Sequence, residues 1–364
     1  MRIAIVNDLR MAQEILKASV ASVPGASVAW VAADGAEACA RCSRDRPDLI
    51  LMDMVMPVLD GAKATARIMR ETPCPILVVT STIEGNLDLV YDALSAGAID
   101  AMQTPSASAL SAPGGLDPLI RRISLVRSLH SPGHAHAQPA ALHAASPVAA
   151  PHPSAGGGSA RPHGQAGGGI RNLLAIGAST GGPQALASVL GAIPRGALPP
   201  TLIVQHIDRD FAPGLAQWLA SVTGHDVRPG LPGDEVASGR ALVAASGEHV
   251  VLAGSRLQSR AEPRDCLFRP SVDVLFSSLA VDRMHGGTAV LLTGMGRDGA
   301  AGLLELRKAG WRTIAQDEAS SAVWGMPGAA VSLGAAERVL PMDRIGHAIA
   351  SPGAGTHATP EPHR

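Results

Sequence analysis

Three residues between positions 172 and 299 have the side chains that acyl transfer requires. They are Ser179 in NLLAIGASTGGP (172–183), His206 in TLIVQHI (201–207) and Asp298 in TAVLLTGMGRDG (288–299). A hydroxyl is a weak nucleophile until an imidazole takes its proton, and a carboxylate must hold that imidazole in the right tautomer. Backbone N–H groups in the two glycine-rich turns are available to receive an oxyanion. A second set lies in the N-terminal half: Asn7 and Asp8, Asp53 in LILMDMVMPVLDG, and Thr80 in ILVVTS. Grouped carboxylates hold a hard cation such as Mg²⁺, which organises phosphate oxygens around a nucleophilic aspartate, here Asp53.

Each residue alone also has a plainer reading. GASTG fits G-x-S-x-G, but many strand, glycine-turn, helix units only pack closely or hold a phosphate on backbone N–H groups. His206 alone reads equally well as a satisfied core histidine, and Asp298 as a cap on the AAGLLELRKAG helix. A strand-end aspartate can simply cap the next helix. The complete sets, all falling at the carboxyl ends of strands, argue for chemistry instead.

The elements that must position these groups follow from hydrophobic patterning. Residues 1–127 alternate apolar strands, near 2–7, 27–32, 48–53, 75–80 and 98–103, with amphipathic helices. That pattern predicts a doubly wound parallel sheet. In the second half Asn172–Ile176 reads as a buried strand, with Gly177–Gly182 too glycine-rich to continue it, and Pro183 opens a helix. Residues 201–207 form the next strand, 241–254 a hairpin, 271–283 a helix and 288 onward another strand. The fold class is therefore α/β, with two doubly wound parallel-sheet domains at 1–127 and 170–350. Between them, residues 128–169 are rich in Ala, Pro, Gly and His. From about 130 to 169 they carry Arg161 as the sole formal charge, which predicts a flexible linker. Residues 351–364 read as a disordered tail.

A net charge of -1 and pI near 6.9 give no electrostatic case for nucleic acid. The N-terminus MRIAIVNDLR lacks a signal-peptide core, and no apolar run of about 18 residues exists to insert in a membrane. A cytoplasmic protein is expected. Cys39 and Cys42 have C-x-x-C spacing on a predicted helix, with Cys74 and Cys266 standing alone, and are read as small core residues.

Over 1–127 the sequence resembles the receiver domain of two-component response regulators, and D-x-x-M-P-x-x-D-G at 53–61 is a specific signature. The resemblance implies that Asp53 is phosphorylated, that Asp8 and Asp53 bind Mg²⁺ and that Thr80 contacts the phosphoryl group. Two positions depart from the pattern: Asn7 replaces one of two acids, and Thr104 stands where receivers place a lysine before Pro105. The aromatic switch position is Ala101.

A receiver, a linker, and a domain carrying GASTGGP, QH and TGMGRDG together resemble the chemotaxis protein-glutamate methylesterases of the CheB type. That resemblance implies a flavodoxin-like receiver and a Rossmann-like catalytic domain. It assigns Ser179 as nucleophile, His206 as general base, Asp298 as the orienting acid and the Met295 N–H as oxyanion donor, with no cofactor for the hydrolysis. Implied partners are methyl-accepting chemotaxis receptors, whose glutamate γ-methyl esters yield methanol and whose glutamines are deamidated in some members, and a chemotaxis histidine kinase as phosphoryl donor. The Asn7 and Thr104 variations suggest a branch serving another chemosensory system, such as surface sensing. The competing readings are a regulator whose second domain only binds a partner, and a general small-ester hydrolase. The triad argues against the first and the phosphoacceptor against the second.

Overall fold

A computed structural model describes residues 1–81, 87–112, 114–129, 170, 172–264, 266, 268–281 and 287–351. Apart from residues 128, 129 and 351, the expected linker and tail lie outside the described residues. The first domain runs β1 (Arg2–Val6), α1 (Arg10–Ala21), β2 (Ser27–Ala32), α2 (Gly35–Arg44), β3 (Leu49–Met52), α3 (Gly61–Glu71), β4 (Ile76–Thr80), α4 (Leu87–Ser95), β5 (Asp100–Gln103) and α5 (Asp117–Leu129). Its strands form one parallel sheet in the order β2-β1-β3-β4-β5. The chain reverses direction across the sheet between β1 and β3, so the crevice of a doubly wound sheet opens beside Asn7, Asp8 and Asp53.

Local chemistry sets the helix starts. Asp34 Oδ1 accepts from the Glu37 N–H at 2.8 Å while the Glu37 carboxylate accepts from the Ala33 N–H, a reciprocal cap on α2. Asp60 caps α3 without a return bond, its carboxylate accepting from both the Lys63 N–H and the Lys63 ammonium. A Cβ on Gly61 would stand 2.0 Å from the Asp53 carbonyl oxygen, so the D-G pair of the signature is a cap followed by an obligatory close approach. Cys39 and Cys42 are buried on α2 as expected. Cys74 does not stand alone, however: its Sγ lies 3.9 Å from that of Cys42, because the turn before β4 packs on the end of α2.

The second domain runs β6 (Leu174–Ala178), α6 (Gly182–Gly191), β7 (Thr201–Gln205), α7 (Ala212–Thr223), β8 (Asp226–Gly230), β9 (Arg240–Ala244), β10 (His249–Ala253), β11 (Arg256–Arg260), α8 (Val272–Val281), β12 (Thr288–Leu291), α9 (Ala300–Lys308), β13 (Arg312–Gln316), α10 (Met326–Ser332), β14 (Arg338–Leu340) and α11 (Met342–Ala350). Seven strands form a parallel sheet in the order β14-β13-β12-β6-β7-β9-β8. The strand expected at 172–176 lies two residues later. Gly177 remains in it because its backbone pairs with Val204 and Leu291, while its missing side chain makes room for Val272, whose Cγ1 would lie 2.3 Å from a Cβ.

The hairpin expected at 241–254 is not formed. β9 instead joins the large sheet between β7 and β8, and the antiparallel hairpin is β10-β11, turning at Gly254 with φ +60°. The observed hairpin has its glycine turn between the apolar β10, HVVLA, and the largely polar β11, RLQSR. The four buried residues of β9 reach the core only inside the large sheet, where both faces are covered.

The two domains touch through α4. Tyr91 is buried, stacks on Trp218 of α7 with ring centroids 5.6 Å apart, and donates its hydroxyl to the Phe211 carbonyl at 2.5 Å. The Gln184 amide at the start of α6 donates to the Leu94 and Ser95 carbonyls at the end of α4.

Candidate active site

Register places the first two groups side by side. Ala178 and Gln205 are the last paired residues of β6 and β7, and the His206 N–H donates to the Ala178 carbonyl at 3.0 Å. Ser179 and His206 each stand one residue beyond that pair, on neighbouring strands, which lie about 4.8 Å apart in a sheet. The third strand is β12, on the other side of β6, where the order of the sheet reverses. Its following turn carries Thr293 to Gly299, so the crevice between β6 and β12 has Ser179 on one lip and the Asp298 turn on the other.

The serine turn is pinned from both sides. The Ser179 N–H donates to the Thr293 carbonyl at 3.0 Å, and the Thr293 hydroxyl donates to the Thr180 carbonyl at 2.9 Å. The Gln205 amide donates to the Ser179 carbonyl at 2.8 Å. A Cβ on Gly294 would lie 2.7 Å from the Ser179 Cβ, and one on Gly182 would lie 1.9 Å from Gln205 Oε1. Two glycines of the predicted turns are therefore required by how closely the backbones approach.

Asp298 Oδ2 lies 2.8 Å from His206 Nε2. The same carboxylate accepts from the Ser271 hydroxyl at 2.7 Å and from the Val272 and Asp273 N–H groups at 2.7 and 3.1 Å. Asp298 thus caps α8 rather than the helix that follows it, which begins at Gly299 in the left-handed region, with φ +87°. Burial alone would raise the Asp298 pKa, but the hydrogen bond and charge of His206, with Ser271 and Val272, outweigh it and hold the carboxyl down at about 2. An ionised carboxylate only accepts, so Nε2 carries the imidazole proton. In the neutral imidazole the lone pair then falls on His206 Nδ1, which is buried and without a partner among the described residues.

Several supports left no signal in the sequence. Phe268 stacks on the His206 ring at 4.1 Å between centroids and 6° between planes. His249 is fully buried, donates from Nε2 to the Pro263 carbonyl at 2.9 Å and accepts from the Ser271 N–H at Nδ1. It holds in place the residue whose hydroxyl binds Asp298. Asp273 accepts from the Gly302 N–H at 2.7 Å, and burial, reinforced by the charge of Asp298, pushes its pKa up to about 6. Met295 is partly exposed in the turn after β12, and no internal acceptor of its N–H is found among the described residues.

In the first domain Asp53 is buried one residue past β3, and that burial raises its pKa. Its carboxylate accepts from the Met54 N–H at 2.7 Å and from the Asn7 amide at 2.9 Å. The Asn7 Oδ1 meanwhile accepts from the Leu9 N–H, which leaves Asp8, exposed, as the second acid of the pocket. Mg²⁺ takes one or two carboxylates and keeps several waters, so Asp8 and Asp53 fit its needs. Among the described residues no cluster of three or more His, Cys, Asp or Glu side chains is placed to hold a metal. The Thr80 hydroxyl is buried close enough to favour the Asp53 charge without forming a hydrogen bond. Thr104 donates its N–H to the Thr80 carbonyl at 2.9 Å, and its hydroxyl has no partner among the described residues.

No helix among the described residues is long and apolar enough to cross a membrane. The family described as response regulator receiver domain matches residues 3–110, and that described as CheB methylesterase matches residues 174–349. A protein-glutamate methylesterase/protein-glutamine glutaminase of Mesorhizobium japonicum is 44% identical over 96% of this chain and 98% of its own. Proteins of the same description from Burkholderia lata and Cupriavidus pinatubonensis are 45% and 42% identical, covering 96% and 95% of this chain and 99% and 95% of theirs. With both domain families matched in order, and such identity over nearly the whole length, the chain belongs to the CheB family of receiver-linked protein-glutamate methylesterases.

Proposed function

We propose that this chain hydrolyses glutamate γ-methyl esters on methyl-accepting chemotaxis receptors in the cytoplasm, and deamidates receptor glutamines at the same site. The observation that carries the reading is the His206–Asp298 pair, set beside Ser179 at the ends of adjacent parallel strands. Ser179 Oγ attacks the ester carbonyl while His206 takes its proton, and Asp298 steadies the imidazolium. The tetrahedral oxyanion is received by backbone N–H groups of the glycine turns, with that of Met295 the best placed to be free. Collapse expels methoxide, which leaves as methanol with the proton from His206. Water, deprotonated by the same imidazole, then cleaves the acyl-enzyme to give free glutamate and Ser179.

The receiver supplies control. Asp53 accepts a phosphoryl group from a chemotaxis histidine kinase, and Asp8 and Asp53 hold Mg²⁺, which neutralises phosphoryl oxygens when bound. Before phosphorylation the receiver covers the catalytic cleft. The Ile99 carbonyl accepts the Gly181 N–H, two residues past Ser179, at 2.9 Å, and Ser179 and His206 are each only 7% exposed. A linker of about 40 residues is long enough for the receiver to swing clear. With Thr104 in place of lysine, Thr80 alone among these side chains is left to draw toward the phosphoryl group.

The test is methanol release from methylated receptor membranes by the full chain, with and without a small phosphodonor and Mg²⁺. Ser179→Ala should lose several powers of ten in rate with an unchanged unfolding midpoint. Near-wild-type turnover in that variant would remove Ser179 from the mechanism.

A further inference from the structure

We propose that Phe268 is a positioning residue for this hydrolysis: its ring fixes the plane of the His206 imidazole and gives the imidazolium an apolar, electron-rich face to rest on. The inference rests on the reading of Ser179 and His206 as nucleophile and base. A single hydrogen bond from Nε2 to Asp298 holds one atom of the imidazole and leaves the ring free to rock about that contact. A second ring at 4.1 Å and 6° removes that freedom, because any tilt drives the edge of one ring into the face of the other. A cation within about 6 Å of an aromatic face is also stabilised by the ring quadrupole. Phe268 therefore favours the charged imidazole formed when Ser179 gives up its proton.

Phe268 is itself tied to the other partner of His206. Three residues on, Ser271 donates its hydroxyl to Asp298, and its N–H is held by the buried His249. One short segment, 268–271, thus acts on His206 twice, directly through the Phe268 ring and indirectly through the Ser271 hydroxyl on Asp298. Phe268 is only partly buried, which is unusual for a ring whose purpose is core packing and natural for one that walls a site.

The experiment compares full-length wild type with Phe268→Leu and Phe268→Tyr, activated by phosphodonor. It measures kcat and KM for methanol release from methylated receptor, together with the rate at which a small fluorophosphonate labels Ser179. Leu keeps the apolar burial and removes the flat face. It should lower kcat by about tenfold with KM within about twofold, and slow labelling in parallel, while Tyr retains kcat within about threefold. Unfolding midpoints are recorded for each, and Phe268→Met replaces the Leu variant should that one not fold. A Leu or Met variant with wild-type kcat overturns the proposal. So does a loss confined to KM with labelling unchanged, since Phe268 would then be touching receptor rather than His206. A wild-type chain that releases methanol but is never labelled at Ser179 overturns the nucleophile assignment, and the proposal with it.

Discussion

His206 Nε2 and Asp298 Oδ2 meet at 2.8 Å although 92 residues separate them in the chain, and the same carboxylate takes three further hydrogen bonds, from the Ser271 hydroxyl and the first two N–H groups of α8. Asp298 is therefore held as rigidly as the helix it caps. Its charge is favoured first by His206 and then by the Ser271 hydroxyl and Val272 N–H, donors that remain whatever the protonation of the imidazole.

Gly294→Ala should cripple turnover without touching any chemical group. Its Cβ would lie 2.7 Å from the Ser179 Cβ and 2.4 Å from the Met326 sulfur. Met326 is fully buried and the serine turn is pinned to Thr293, so the added methyl must displace Ser179. A shift of about 1 Å in a nucleophile costs on the order of 100-fold. Steady-state methanol release is the measurement, and a loss below about fivefold would mean the turn yields elsewhere.

Asp273 gives a pH signature in stability. Its folded pKa of about 6 lies above the unfolded carboxyl value, so the folded state holds the proton more tightly and stability falls as pH rises from about 4 through 6. Asp273→Asn keeps an acceptor for the Gly302 N–H and removes the charge beside Asp298. The variant should unfold at a higher temperature than wild type at pH 8, with the gap closing below about pH 4. Midpoints measured across that range check it, and parallel curves would place the Asp273 shift elsewhere.

Asp298 has the opposite sign. Its lowered pKa of about 2 contributes stability that is present above the unfolded carboxyl value and lost as pH falls from about 4 through 2. Asp298→Asn should flatten that acid limb of the unfolding curve.

Tyr91→Phe tests the contact between domains. The substitution removes one of two hydrogen bonds to the Phe211 carbonyl, which keeps the Leu215 N–H as donor, at a cost of about 1 kcal/mol, while the ring can still stack on Trp218. Basal esterase activity without phosphodonor should rise several-fold, and the further gain on phosphorylation should shrink. Unchanged basal activity would separate this contact from the covering of the site.

Thr104→Lys should enlarge the response to phosphodonor, because it returns a cation to the end of β5 beside Asp53 and Thr80. Asp53→Asn in the same background should abolish the response. An equal response in the wild-type and Thr104→Lys chains would show that this receiver signals through another group.

How much of this was legible in the sequence depends on whether a signal is local. The receiver strands follow from short apolar runs read one at a time, and Ser179, His206 and Asp298 each sit where such a run gives way to a polar turn. Those assignments need nothing beyond a window of about ten residues. The sequence also determined the glycines of the turns that carry Ser179 and Asp298, although only the folded chain explains Gly294 and Gly182, by the side chains that press on them. What the tertiary structure alone decided is partnership. β9 and β10 are adjacent in sequence and look like a hairpin, yet they belong to different sheets, because pairing in the large sheet buries β9 on both faces. Asp298 looks like a cap for α9 and instead caps α8, since the order of the sheet brings that helix end, with Ser271 and Phe268, against the His206 side of the crevice. Hydrogen bonds between residues this far apart depend on how strands are ordered across a sheet. Strand order is fixed by the packing of whole layers rather than by any stretch of chain that could be read by itself.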